Sequence, residues 1–136
     1  ITPKETMKIC QKLYEAGFIT YMRTDSPVYS KEFIETAKEF ISNKWDKSYI
    51  STSIDNLSER KEEKKKTKKK KEENKAQEAH EAIRPTNIDL QNIEEHDFSP
   101  REKKVYRLIW SHTCESCMEK AKYNSISCVI DACLNK

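Results

Sequence analysis

Apolar residues near the amino end of the chain recur at the three- and four-residue spacing of amphipathic helices. The first such stretch starts at Thr2-Pro3-Lys4-Glu5, where threonine can cap free amides, proline suits the first helical position and glutamate completes a capping box. It stops at Gly17, a residue type favoured where a helix ends in the left-handed conformation. A second helix is predicted from its cap Ser30 to about Ile41.

The short apolar run from Phe18 to Met22 lies between these helices. It is too short for a helix of its own and is rich in residues that favour strands. It is therefore predicted to be a brief strand or an extended connector. Ser26-Pro27 closes it, since the residue before a proline is disfavoured in the helical region.

Regular structure is expected again from Ala76, in a helical turn that stops at Arg84-Pro85. Ser99-Pro100-Arg101-Glu102 then repeats the helix-start signal and predicts a longer helix to about Met118. Its apolar stripe is predicted to comprise Val105, Leu108, Ile109 and His112.

Residues 125–132 alternate or run apolar, which is typical of a β-strand. A lone strand after a helical unit predicts that its sheet belongs to a neighbouring domain. The chain also opens without an initiator methionine, so we expect it to be part of a longer polypeptide.

A charged stretch divides the chain. Of the seventeen residues from Glu59 to Lys75, fifteen are charged and none is apolar. Such a stretch cannot bury enough surface to offset its ordering entropy, so residues 51–75 are predicted to be a mobile insertion. Its lysine run, 64–71, suits a solvated loop, or alternatively a nuclear localisation signal or nonspecific DNA tether.

The predicted fold class is therefore mainly α. Residues 1–50 and 76–123 form one small helical domain, residues 51–75 the charged insertion, and residues 124–136 the start of a strand of the adjoining domain. A single glycine in 136 residues argues against β-sandwiches and Rossmann-type phosphate loops, which need several.

Charge, hydropathy and cysteine content narrow the class of protein further. Outside residues 59–75 the chain has 16 basic and 18 acidic residues, a net charge of −2, so bulk charge does not predict nucleic-acid binding. No stretch approaches the roughly 20 apolar residues of a membrane span. An odd number of cysteines, five, suits a reducing compartment, so we expect a soluble intracellular protein, cytoplasmic or nuclear.

Four of these cysteines could be drawn as a thiolate zinc site: Cys114, Cys117, Cys128 and Cys133. The first pair lies at a predicted helix end without a knuckle glycine, and the second pair spans a predicted strand. Core or surface thiols are the favoured interpretation, and no metal ligand is assigned.

Tyr21 and Arg23 are the first candidates for chemistry. In an extended segment, residues two apart point to the same face. An arginine there can stabilise a phenolate and bind a phosphate, with the hydroxyls of Thr24 and Ser26 close by and Asp25 to orient the arginine. A buried tyrosine beside a surface arginine would fit the spacing as well.

His80 and Arg84 are the second candidate pair. Four residues apart, they would share one face of a helix and suit phosphate binding or proton transfer. An arginine at a helix end is also an ordinary complement to the helix dipole.

Together, two segments resemble one family. Residues 14–26, Tyr-Glu-Ala-Gly-Phe-Ile-Thr-Tyr-Met-Arg-Thr-Asp-Ser, are similar to the active-site block of type IA DNA topoisomerases. Residues 76–86, Ala-Gln-Glu-Ala-His-Glu-Ala-Ile-Arg-Pro-Thr, are similar to a second block of that family. Met22, Asp25 and Ser26 resemble the bacterial topoisomerase I and reverse gyrase branch more than the topoisomerase III branch. The resemblance covers most of the chain apart from the insertion.

The resemblance implies that Tyr21 attacks a phosphodiester of single-stranded DNA, giving a 5′-phosphotyrosyl enzyme, while Arg23 holds the phosphate. It implies that His80, Arg84, Thr24 and Ser26 contact DNA or orient the attacking group. Negatively supercoiled DNA is the expected substrate. The family's Mg²⁺ is bound by a Toprim domain that this chain does not contain, so the fragment alone is expected to be inactive. The alternative is a non-catalytic nucleic-acid-binding helical module.

Overall fold

Three α-helices form the framework of the computed structural model, which describes residues 1–59, 81–94 and 97–130. They are α1 (Pro3–Glu15), α2 (Lys31–Lys44) and α3 (Pro100–Cys117), with two short 3-10 helices at Lys47–Tyr49 and Ile54–Ser58. α3 packs against both α1 and α2. The described residues contain isolated β-bridges but no strand, so the mainly helical prediction is confirmed.

The predicted helix caps form, but the capping box predicted at Thr2 is incomplete, because the Glu5 carboxylate accepts from Arg101 instead. The Thr2 hydroxyl accepts from the Glu5 amide, and the Ser30 hydroxyl accepts from the Phe33 amide at 3.2 Å. At α3 the reciprocal capping box forms, with the Ser99 amide donating to the Glu102 carboxylate at 2.7 Å. These bonds satisfy amides that have no partner inside the helix, and they explain why the starts were predictable.

Gly17 ends α1 with a φ of +81°. Its amide donates to Tyr14 O at 2.8 Å, and the Phe18 amide donates to Leu13 O at 2.9 Å. This pair of bonds is a Schellman motif, which turns the chain from α1 directly into the segment that carries Tyr21.

We expect Gly17→Ala to destabilise the chain by about 1 kcal/mol, because a Cβ disfavours the left-handed conformation. A Cβ at Gly17 would meet no atom within 4 Å, so the cost is purely conformational. Urea denaturation of residues 1–136 measures it, with Gly17→Asn as the control, since asparagine tolerates this conformation better. Equal stability of Gly17→Ala and the unsubstituted chain would contradict the assignment.

The buried face of α3 differs from the predicted stripe. Val105 is buried and Ile109 partly buried as predicted, but Leu108 and His112 are exposed, and Tyr106, Trp110 and Cys114 are buried. The two aromatic residues bury large apolar surfaces while their polar atoms find backbone acceptors: Tyr106 Oη donates to Leu90 O, and Trp110 Nε1 donates to Ile88 O at 2.7 Å. These two hydrogen bonds hold residues 88–90 against α3.

The start of the predicted insertion is folded, so the prediction is wrong for residues 51–59. Ile54 is only 3 % exposed and belongs to the core. The Ser51 amide donates to Cys117 O at 3.0 Å, and the Glu119 amide donates to Tyr49 O at 2.8 Å. Apolar residues 50, 54 and 57 pack in or against the core, which the charged residues that follow them could not do. Residues 60–75 lie outside the described part of the chain.

The turn predicted to end at Arg84-Pro85 is also not helical where the structure describes it. Residues 81–85 contain a bend at residue 83 and an isolated bridge at Pro85, and their backbone is bonded to residues that follow α1 instead. Residues 76–80 lie outside the described part.

The described residues of the predicted terminal strand, 124–130, form no regular structure, and Ile126, Val129 and Ile130 are almost fully exposed. A strand needs a partner for its backbone, so pairing with a neighbouring domain stays a prediction. Across the described ranges, no helix combines the length and apolar character needed to span a bilayer.

Candidate functional site

The two motif segments are joined by backbone pairing. Ile19 and Pro85 form an antiparallel bridge. The Thr20 amide donates to Arg84 O at 2.9 Å, and the Thr86 amide donates to Phe18 O at 3.0 Å. Segments more than 60 residues apart in sequence thus lie side by side, as a shared site requires.

The side chain of Thr20 strengthens this junction. Its hydroxyl donates to Ala82 O at 2.8 Å and accepts from the Arg84 amide at 2.9 Å. Both capacities of the hydroxyl are used, so the residue immediately before Tyr21 is held in place.

Tyr21 lies at the surface beside this junction, with 39 % of its area exposed. It lines a hollow of about 340 Å³ together with Tyr14, Thr24, Glu81 and Thr86. Its ring packs edge-on against Tyr14, with centroids 5.1 Å apart. The site therefore presents a phenol on an anchored backbone, accessible to a large substrate.

Arg23 lies in a different hollow from Tyr21. The backbone bends at Met22 and Arg23, and the Arg23 side chain lines a hollow along α1 that includes Lys8 and Glu15. The expectation that a fully extended segment aims Tyr21 and Arg23 at one face therefore does not hold for the backbone seen here.

Arg84 is held by neighbours within the fold. Its Nε and Nη2 donate to the two oxygens of Glu81 at 2.6 and 2.9 Å, and Nη1 donates to Pro85 O at 3.0 Å. The guanidinium also stacks on Phe33, 4.2 Å from the ring centroid, and the side chain is only 14 % exposed. These contacts favour a positioning role over the predicted DNA contact.

Glu81 connects this arginine to α2. It accepts from the Ser30 amide at 2.9 Å, and it also lines the hollow of Tyr21. Burial alone raises the pKa of the Glu81 carboxyl, but hydrogen bonds from Arg84 and Ser30 and the charge of Arg84 outweigh it, so the pKa lies below its ordinary value of 4.5.

This shift predicts a pH dependence of stability. A carboxyl whose pKa is lower in the folded chain stabilises it above the unfolded pKa, and that contribution is lost as the pH falls through the folded pKa. We therefore expect Glu81→Gln to lessen the loss of unfolding free energy below pH 4.5. Urea denaturation between pH 7 and 3 measures this, and identical acid slopes for both chains would exclude it.

Thr24 and Ser26 shape the loop after Tyr21. The Thr24 hydroxyl accepts from the Ser26 amide at 3.0 Å, and the Ser26 hydroxyl accepts from the Val28 amide at 3.3 Å. Ser26 is only 6 % exposed, so the structure does not present it to DNA as predicted. Thr24 lines the hollow of Tyr21 and remains a candidate contact.

Some predicted features lie outside the described residues: His80, the lysine run 64–71, and Cys133. Cys114 and Cys117 are buried, as the core interpretation predicted, and Cys128 is an exposed free thiol. Burial raises the pKa of Cys114 to about 12, which disfavours the thiolate that zinc requires. Within the described ranges, no three histidine, cysteine or acidic residues are grouped to hold a metal ion.

Glu81 and Thr20 are site residues that the sequence motifs did not identify. Both belong to the quoted motifs, but nothing in the sequence indicated a role for them beyond their position next to His80 or Tyr21. Their roles depend on contacts across long sequence separations, such as Glu81 with Ser30. Local spacing contains no signal for these contacts.

Comparison with known proteins places the chain in a family. The family model described as DNA topoisomerase matches residues 1–136. DNA topoisomerase 1 of Escherichia coli K12 is 34 % identical over 129 residues, which cover 95 % of this chain and 13 % of that protein. DNA topoisomerase 1 of Buchnera aphidicola from Acyrthosiphon pisum is 37 % identical over 127 residues, covering 93 % of this chain and 13 % of that protein.

A solved structure agrees with these matches. Full-length topoisomerase I from Thermotoga maritima superposes with a TM-score of 0.64 at 30 % identity, covering 88 % of this chain and 17 % of that one. The chain thus spans about 13 % of the length of the curated relatives. With the family model matched from end to end and both motif segments joined in one site, the chain belongs to the type IA DNA topoisomerase family.

Proposed function

We propose that this chain is the tyrosine-bearing part of an ATP-independent DNA topoisomerase and that Tyr21 is its covalent nucleophile. The phenol attacks a phosphodiester in single-stranded DNA. The observation that carries the proposal is the placement of an exposed Tyr21 on a backbone anchored by the second motif segment. Family membership supplies the reaction class.

In the proposed step one phosphoester bond forms and another breaks. The Oη–P bond forms as the P–O3′ bond breaks, the phenol loses its proton, and the departing 3′ oxygen gains one. The product is a 5′-phosphotyrosyl enzyme with a free 3′-hydroxyl. Because one phosphoester replaces another, religation by the reverse attack needs no ATP. Passage of a strand through the gap between these steps changes the topology of the DNA, so the enzyme is an isomerase.

The residues around Tyr21 have distinct proposed roles. Arg23 is exposed and is the cation nearest to Tyr21 in sequence, and we assign it to the scissile phosphate, whose developing charge a guanidinium stabilises. Since Arg23 lines the hollow along α1, this role requires its side chain to turn towards Tyr21 when DNA binds. Surface side chains change rotamer within nanoseconds, so the rearrangement is not a barrier.

Arg84 and Glu81 are positioning residues in this proposal. Their paired hydrogen bonds and the contact with Ser30 connect the second motif segment to the start of α2. Thr20 then transmits that placement to Tyr21. His80 precedes Glu81 directly, and its proposed contact with the DNA backbone rests on the family resemblance.

Mg²⁺ does not fit the described part of this chain, which offers no cluster of acidic ligands. We propose that the parent protein binds it in a Toprim domain, and no step of the proposed chemistry is assigned to the metal here. The catalytic site is then divided between two domains, with the nucleophile on one and the metal ligands on the other.

The divided site predicts that residues 1–136 alone form no covalent adduct with DNA. The test is incubation with a single-stranded oligonucleotide and Mg²⁺, followed by denaturing electrophoresis. The intact parent enzyme, run in parallel, should form an adduct that depends on Tyr21. An adduct at Tyr21 formed by the isolated 136 residues would contradict the divided site but would leave Tyr21 as the nucleophile.

A further inference from the structure

A second hollow, here named the α1 groove, lies along the outer side of α1 and has a volume of about 540 Å³. Seven residues line it, and four of them are cations: Lys4, Lys8, Lys12 and Arg23. This concentration is local, because the chain outside residues 59–75 carries a net charge of −2. The groove therefore has a positive character that the composition of the folded part does not explain.

Three of the four cations are free to bind a ligand. Lys12 is already engaged, with its Nζ 3.1 Å from Glu102 and 5.0 Å from the centre of the Phe98 ring. Lys4, Lys8 and Arg23 are exposed and make no side-chain hydrogen bond or ion pair with the residues that the structure describes.

One carboxylate shares the groove with these cations. It belongs to Glu15, which accepts a hydrogen bond from Gln11 at 2.6 Å. Three unpaired cations against one carboxylate make the groove attractive to a polyanion.

The α1 groove and the hollow of Tyr21 share no lining residue, but residues close in sequence line the two. Tyr14 lines the hollow of Tyr21 and the next residue, Glu15, lines the groove. Lys4 and Lys8 lie one helical turn apart, a rise of about 6 Å. Because the phosphates of one DNA strand follow one another every 3.4 Å or so along a duplex axis, and farther apart in an extended strand, two lysines at this spacing reach neighbouring phosphates.

We propose that the α1 groove binds the backbone of single-stranded DNA where the strand leaves Tyr21; this rests on the proposed function. Lys4 and Lys8 bind successive phosphates, and Arg23 lies at the end of the path nearest to Tyr21. Met7, which is 40 % exposed between the two lysines, offers an apolar surface to a sugar or base. A row of basic residues beside an exposed apolar side chain suits a single strand, because its bases are not paired inside a duplex and remain accessible.

The experiment measures how salt weakens DNA binding. Lys4→Gln/Lys8→Gln is placed in the intact parent enzyme, in a Tyr21→Phe background so that binding alone is seen. For a single-stranded oligonucleotide, we expect the slope of log Kobs against log salt concentration to become shallower by about 1.4, or about 0.7 for each phosphate that no longer meets a lysine. Lys8→Gln alone should give about half that change, which keeps the test open if the double variant folds poorly.

Lys47→Gln/Lys122→Gln is the matched control, since it removes two exposed lysines that do not line the groove. Its slope should equal that of the unsubstituted enzyme. A Lys4→Gln/Lys8→Gln slope equal to this control would overturn the proposal. An equal change in slope with duplex DNA would overturn the assignment to a single strand.

The experiments distinguish failure of the α1 groove as a DNA-binding surface from failure of Tyr21 as the nucleophile. If the groove variant keeps its full salt slope while adduct formation still requires Tyr21, only the groove is wrong. If adducts form without the Tyr21 hydroxyl, the nucleophile assignment is wrong, whatever the salt slope shows.

Discussion

Tyr21→Phe in the intact parent enzyme should abolish the covalent DNA adduct and lower relaxation of negatively supercoiled DNA by at least about 10³-fold, as loss of the nucleophile does in covalent catalysis. The substitution removes one oxygen and keeps the ring that packs on Tyr14 at 5.1 Å. Because Tyr21 is exposed and its hydroxyl has no hydrogen-bond partner in the described part of the chain, stability should be nearly unchanged. Adduct electrophoresis and a relaxation assay measure these effects.

Tyr14→Phe is the control for this prediction. Tyr14 lines the same hollow and is equally exposed, at 40 % against 39 % for Tyr21. It should retain adduct formation, because the pairing with the second motif segment anchors Tyr21 and not Tyr14. Adduct loss in Tyr14→Phe with retention in Tyr21→Phe would reverse the assignment. Full activity of Tyr21→Phe would favour the non-catalytic binding module.

Arg84→Leu should destabilise the 136-residue chain by about 2–3 kcal/mol, because the partly buried Glu81 carboxylate loses its main partner. The stacking of the guanidinium on Phe33 disappears as well. In the parent enzyme, adduct formation should fall while the affinity for single-stranded DNA stays close to that of the unsubstituted enzyme. Urea denaturation and a binding titration measure the two effects.

Arg84→Lys separates the roles of charge and geometry. Lysine keeps the positive charge but cannot donate to both Glu81 oxygens in the paired manner of a guanidinium. We expect an intermediate loss of about 1 kcal/mol, since one charge-assisted hydrogen bond survives. If Arg84→Leu instead leaves stability unchanged and reduces the salt dependence of DNA binding, Arg84 is a DNA ligand and not a positioning residue.

The helices were predictable because their signals are local. Thr2, Ser30 and Ser99 precede their helices with side chains that satisfy free amides, and Gly17 adopts the left-handed conformation that its residue type favours. Each of these signals depends on residues within a few positions of one another. The structure therefore confirms them with little adjustment.

The failures occur where distant contacts decide the conformation. Residues 81–84 belong to a segment predicted to be helical, yet their backbone polar groups bond to the hydroxyl and backbone of Thr20, and no helix forms there. The α3 stripe was only half right, because Tyr106 and Trp110 bond to the carbonyls of residues 90 and 88, partners that helical periodicity does not reveal.

The residues of the candidate site were likewise predictable only in part. The motifs predicted Tyr21, which the structure places exposed beside the second segment. The same motifs do not distinguish an arginine that is free to bind phosphate from one that is already engaged. Arg23 is free of side-chain partners among the described residues and Arg84 is bound to Glu81, a difference that arises only in three dimensions.

The most direct test of the proposed nucleophile is to locate the adduct on the protein. The intact parent enzyme is trapped on a single-stranded oligonucleotide labelled on the 3′ side of the cleavage point, denatured, and digested with trypsin and nuclease. Cleavage after Lys12 and Arg23 releases residues 13–23, a peptide that contains both Tyr14 and Tyr21. Peptide fragmentation should place the phosphonucleotide on Tyr21. Its attachment to Tyr14, to another peptide, or through the 3′ end of the cleaved strand would contradict the proposal.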